Sequence, residues 1–263
     1  MGNALAFPAP QNSRAYYERA LGRRQDLCTL RTSADENIPA CYVRCPSGGA
    51  RPRITLLYSH GNAEDLAEAI DGGYVEALAH ATNTDVFAYE YVGYSLSGLS
   101  GAQPSEAGCL RSIDAAWRHC VEELRIPPGR IVLFGRSIGS GPTIDLASRT
   151  VEGCAASPLD AAGVLLQSPI ESGGRAVFGY WTSMVGYPLD IFRNYEKIGN
   201  IKAPVAIMHG TADRVVPVEN GKNLLRMVQQ PVDPLWIEGH GHNDMPQDRC
   251  FIYARRFVET LKK

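Results

Sequence analysis

Six short apolar runs punctuate the chain: ITLLYSH (54–60), DVFAYEY (85–91), IVLFG (131–135), GVLLQSP (163–169), PVAIMHG (204–210) and PLWIEG (234–239). Each is rich in branched or aromatic residues and bounded by Gly, Pro, Asn or Asp, which predicts strands buried on both faces. Between them apolar residues recur at helical spacing, over Ala63 to Ala81, Ser105 to Leu124, Ser137 to Ser148, Glu219 to Val228 and Arg249 to Leu261. Strands alternating with helices in this way imply a mostly parallel central sheet flanked by crossover helices. Ahead of them, LCTLRT and IPACYVRC flank the turn-rich SADEN and predict an antiparallel hairpin on the sheet edge. With neither repeats nor a linker, residues 1–263 read as one domain.

Composition narrows the classes. At 263 residues and 44% hydrophobic, the chain can bury a substantial core. Lysine and arginine total 26 against 28 acids, with no large basic block, so nucleic acid is not an expected partner. Seven scattered cysteines without a C-x-x-C pair point away from a disulfide framework and toward a reducing, intracellular compartment. No run of eighteen apolar residues is present, and MGNALAFPAP is broken by prolines before it can act as a secretory leader. Met1-Gly2 matches the start of a myristoylation signal, though Ala6 stands where Ser or Thr is usual. Together with five arginines against two acids in residues 1–31, this makes residues 1–25 a candidate membrane-attachment segment, the plain alternative being a solvated terminus.

In open α/β sheets ligands bind beyond the carboxyl ends of the strands. Ser137 follows the third parallel strand within Gly135-Arg136-Ser137-Ile138-Gly139, Asp213 follows IMHG, and His240 and His242 follow PLWIEG. Serine, acid and histidine in that order match the α/β-hydrolase arrangement, in which a G-x-S-x-G turn lifts the serine hydroxyl above the sheet. A serine needs a histidine to take its proton and a carboxylate to hold that imidazole in the right tautomer. The candidates are therefore Ser137 as nucleophile, Asp213 as acid and a histidine of GHGHND as base.

A tetrahedral intermediate needs two N–H donors, expected here from the backbone of Ile138 and from the HGNAED loop, where Asn62 is preferred and Ala63 is close behind. Local pattern alone does not separate His240 from His242. The string His240-x-His242-x-Asp244 also resembles metal-binding sequences, but Met245 replaces a usual following histidine, so neither a metal nor another cofactor is expected. His60 and His209 at strand ends, and His80 and His119 in predicted helices, are read as structural.

The blocks LLYSHGNAED, YEYVGYSLSGLSGAQPSE, IVLFGRSIGSGPTIDLAS, LQSPIESGGR, YEKIGNIKAPVAIMHGTADRVVP and GHGHND resemble, in order, those of the α/β-hydrolase domain-containing protein 17 family. The resemblance implies an α/β-hydrolase fold with Ser137, Asp213 and His242 as the triad. It also implies a protein depalmitoylase acting on palmitoyl-cysteine of membrane-associated proteins, peripheral on the cytoplasmic face of membranes. Animal members carry an N-terminal cysteine cluster, whereas the first cysteine here is Cys28. Where many α/β-hydrolases have a large cap, residues 171–200 form a short segment bearing Phe178, Tyr180, Trp181, Met184, Tyr187 and Phe192, which either line an acyl groove or pack the domain core. Competing expectations are a carboxylesterase or lipase for small or lipid esters, and a binding protein of the same fold without turnover. The oligomeric state is not legible.

Overall fold

The computed structural model describes residues 7–10, 12–22, 24–46, 54–176 and 190–261. Its strands are β1 (Leu27–Arg31), β2 (Asn37–Val43), β3 (Thr55–Ser59), β4 (Asp85–Tyr89), β5 (Ile131–Arg136), β6 (Gly163–Gln167), β7 (Val205–Gly210) and β8 (Leu235–Ile237). Among the described residues they form one sheet in the order β1-β2-β4-β3-β5-β6-β7-β8. β1 and β2 pair as the expected hairpin, β2 runs antiparallel to β4, and the remaining pairs are parallel.

Side-chain alternation divides the core between the two faces of the sheet. Leu133 of β5 and Ile207 of β7 join the cluster around Trp117, whose buried indole N–H donates to the Ala156 carbonyl. Val132, Phe134, Ala206 and Met208 face the opposite cluster with Phe257. β8 departs from the expected double burial: Leu235 and Trp236 are only half-buried because this three-residue strand lies at the sheet edge.

The helices are α1 (Arg14–Leu21), α2 (Leu66–Asp71), α3 (Tyr74–Thr82), α4 (Ser95–Leu99), α5 (Glu106–Arg118), α6 (Ser140–Ala147), α7 (Val218–Met227) and α8 (Gln247–Thr260). The helix predicted over Ala63 to Ala81 is two helices, because Gly73 takes a φ of 69° and turns the chain between them. Asp65 caps the first by accepting from the Glu68 N–H. α5 runs on into a π-turn at His119–Glu123 before the Leu124 boundary expected from spacing.

The amino-terminal arm lies on the domain. Phe7 is buried edge-on against Phe192 at 6.1 Å between ring centroids, Tyr17 Oη donates to the Pro10 carbonyl, and Asn12 Nδ2 donates to Glu68. Of the candidate attachment segment, residues 7–10 and 12–22 thus pack against the body, while Gly2 and Ala6 fall outside the described residues. Phe192 in turn fills the space beside α6, where a Cβ on Gly141 would sit 2.3 Å from its ring. It belongs to the core; Phe178, Tyr180, Trp181, Met184 and Tyr187 lie outside the described residues. No described helix is long and apolar enough to cross a membrane.

Candidate active site

β5 delivers Ser137 at a left-handed backbone, φ 53°, on a 3-10 turn that leads into α6. Both flanking glycines are sterically required. A Cβ on Gly135 would lie 2.6 Å from the Gly139 carbonyl oxygen and from Thr143 Oγ1, and one on Gly139 would lie 2.3 Å from the Ser59 carbonyl oxygen. The turn can therefore close only against bare backbone. Ser140 Oγ donates to the Ser137 carbonyl at 2.6 Å and accepts from the Ile170 N–H, fixing the bend.

Ser137 Oγ lies 2.9 Å from His242 Nε2, and His242 Nδ1 lies 2.7 Å from Asp213 Oδ2. Since the carboxylate can only accept, Nδ1 carries the proton and Nε2 is left to accept from the serine hydroxyl. Among the two candidate histidines, the fold brings His242 to Ser137. His240 instead donates from Nδ1 to the Asp244 carbonyl, and Asp244 Oδ1 accepts from the Gly241 N–H. The His-x-His-x-Asp string is thus spent on three different jobs, and no described cluster of three His, Cys, Asp or Glu side chains converges as a metal site requires.

Asp213 is held by four donors. Its Oδ1 accepts from the Val215 and Val216 N–H groups at 2.9 and 2.8 Å, and its Oδ2 takes both His242 and His209 Nε2, the latter at 3.2 Å. Burial alone would push its pKa up. The hydrogen bonds from His209, His242 and Val216 outweigh that and hold the carboxyl well below the usual carboxylate range.

His209, read from the sequence as structural, is buried but also contacts the acid. Its Nε2 also donates to the Val216 carbonyl at 2.8 Å, and its buried Nδ1 has no partner among the described residues. A proton on Nδ1 would be buried without an acceptor, so Nε2 carries the N–H, the form that donates to Asp213. The signal in the sequence was the His209-to-Asp213 spacing across the end of β7.

The HGN loop lies against the nucleophile, with the Cβ position of Gly61 3.8 Å from Ser137 Cβ. Beneath it, His60 pairs with Glu90 at 2.9 Å and donates from its other nitrogen to the Gly61 carbonyl, as expected of a satisfied loop histidine. Burial is the largest single influence on His60 and opposes its charge, but Glu90, Glu64 and the Gly61 carbonyl together outweigh it and raise its pKa. Above, Tyr94 Oη donates to Asn62 Oδ1 at 2.7 Å. Glu64, which sequence reasoning passed over, accepts from the Gly61 N–H and Tyr58 Oη and pairs with Arg136, whose other nitrogen donates to Asn243. One carboxylate and one guanidinium therefore tie together the loops that carry Gly61, Ser137 and His242.

The fold and this arrangement of side chains define an α/β-hydrolase. Solved structures with this architecture include Est2 of Thermogutta terrifontis with propionate bound, at TM-score 0.67 and 16% identity over 90% of this chain and 94% of that one. An esterase from a Rhodococcus species superimposes at TM-score 0.60, 16% identity, 90% of this chain and all of that one. No family model matches the chain. Curated relatives are closer in sequence. α/β-Hydrolase domain-containing protein 17B of Xenopus laevis is 39% identical over 234 residues, 89% of this chain and 72% of that protein, and the human 17B protein is 38% identical over 89% of this chain and 72% of its own length. The mouse 17C protein is 36% identical over 89% of this chain and 65% of its own length. The chain belongs to the α/β-hydrolase domain-containing protein 17 family.

Proposed function

We propose that the protein is a serine hydrolase that cleaves acyl thioesters, taking palmitoyl-cysteine on membrane-associated proteins as its substrate at the cytoplasmic face of membranes. The observation that carries the hydrolase reading is the Ser137–His242–Asp213 relay, aligned at 2.9 and 2.7 Å. His242 Nε2 takes the serine proton as Oγ bonds to the thioester carbonyl carbon, and the Ile138 N–H with that of Asn62 receives the oxyanion. The C–S bond then breaks, His242 returns the proton to the departing sulfur, and a free thiol leaves an acyl-Ser137. Water repeats the sequence: His242 takes its proton, the new oxygen bonds the acyl carbon, and the fatty acid leaves as Ser137 is reprotonated. None of the seven cysteines is in a disulfide, in keeping with a reducing compartment.

The choice of thioester over ester rests on family membership. Purified enzyme is offered matched butyryl, octanoyl and palmitoyl thioesters and oxyesters, with a fluorophosphonate label on Ser137 counting active sites. A palmitoyl thioester should be preferred over its butyryl counterpart by at least about tenfold in kcat/KM, since additional buried methylenes contribute ~0.8 kcal/mol each. Preference for short oxyesters would replace this reading with a carboxylesterase, and absence of labelling would leave a binding protein.

A further inference from the structure

A cavity of about 270 Å³ is lined by His242 together with Arg136, Gln167, Asn243, Gln247, Met245 and Phe251. Resting on the thioesterase reading, we infer that this cavity receives the leaving group, and that the leaving group it fits is a short stretch of extended polypeptide around the acylated cysteine.

The side follows from the chemistry. His242 must hand its proton to the departing sulfur, so the chain attached to that sulfur has to pass His242, and His242 lines this cavity. The class follows from the lining. The single guanidinium is already balanced by Glu64, so no uncompensated cation waits for the phosphates of a nucleotide thioester. The amides of Gln167 and Gln247 make no hydrogen bond to other described residues, and Asn243 uses only its oxygen, on Arg136. Carboxamides that both donate and accept match the alternating C=O and N–H of a peptide backbone and have nothing to offer an acyl chain. Met245 and Phe251 supply apolar footing for a flanking side chain.

The test holds the acyl group constant and changes what leaves. Kinetics are measured with an octanoyl thioester on a cysteine-containing heptapeptide, on N-acetylcysteamine and on coenzyme A, for wild type, Gln247→Leu, Gln167→Leu and the double variant. The wild type should favour the peptide over N-acetylcysteamine in kcat/KM. Each single variant should cut that preference about three- to tenfold, as expected for a lost hydrogen-bonding amide. A wild-type preference for coenzyme A, a preference ratio unmoved in all variants, or a loss that grows with acyl length at a fixed leaving group would each overturn the assignment. Gln247 is exposed at the start of α8, so its variant keeps the test alive if Gln167→Leu fails to fold. Hydrolysis of oxyesters without thioesters would sink the thioesterase reading alone. The leaving-group preference is then read from an O-octanoyl-serine peptide against ethyl octanoate.

Discussion

Two strand-to-helix turns in this molecule are built alike. β5 ends in Gly135-Arg136-Ser137-Ile138-Gly139, and the chain after β4 runs Gly93-Tyr94-Ser95-Leu96-Ser97. In each, a serine with positive φ, 53° at Ser137 and 40° at Ser95, opens a helical turn and is buried. Each is also preceded by a glycine that admits no side chain: a Cβ on Gly93 would come within 2.2 Å of Pro104 N. Yet Ser137 faces His242, whereas the hydroxyl of Ser95 has no partner among the described residues. The backbone of a nucleophile elbow is thus available without the chemistry; what separates the two serines is the company that β7 and β8 bring to one of them.

The sharpest way to break the comparison is to delete each hydroxyl. Ser137→Ala should lower turnover by roughly 10⁴- to 10⁶-fold with an unchanged melt, as loss of a triad member does elsewhere. Ser95→Ala should keep turnover within a few-fold of wild type. Residual activity above a tenth in the first variant, or abolition in the second, would reverse the roles of the two turns.

A second, smaller effect tests how the acid is held. His209→Leu removes one donor from Asp213, and hydrogen bonds to a charged group contribute about 1.5–3 kcal/mol, so kcat should fall roughly 10- to 100-fold. His209→Gln, which can still present an N–H, should recover part of that loss. Equal losses in both variants would show that His209 only fills space. Stability gives an independent reading of the same carboxylate. Because its folded pKa lies below the unfolded value of about 3.9, its contribution is present above that value and lost as pH falls through the folded one. The stability gap between wild type and Asp213→Asn, followed by denaturant titration, should be constant from about pH 5 upward and shrink toward pH 3. A gap that widens on acidification would contradict the depressed pKa.

The smallest effect belongs to the unused turn. Ser95→Gly relieves a left-handed backbone and removes a buried hydroxyl without a partner, and should stabilise the fold by about 1 kcal/mol, read as a melting temperature ~2–4 °C higher. A lower melting temperature would mean that Ser95 holds something in place.

Much of this was legible before the fold was known. The apolar runs gave β3 to β7 within a residue or two because strands buried on both faces need unbroken hydrophobicity, and the serine-acid-histidine order followed from strand ends. Three things were not legible. Helical spacing continues across Asp71-Gly72-Gly73, so the break between α2 and α3 shows only as a glycine's φ. By local pattern His240 and His242 are equivalent, each next to a glycine; only the family resemblance singled out His242, whose ring the packing of the loop after β8 brings to Ser137. Glu64, Arg136 and His209 act through contacts across 72, 107 or 4 positions of sequence, and only the last interval falls within a local motif.

The edge-on packing of Phe7 against Phe192 sets a schedule for the newborn chain. During synthesis Phe7 emerges well ahead of Phe192, so its seat is incomplete until Phe192 has left the ribosome, roughly 10 to 40 s later at ordinary elongation rates. Throughout that interval an apolar side chain destined for the core stays exposed. His242 emerges later still, so the relay is completed only after the chain has provided the seat for its own amino-terminal arm.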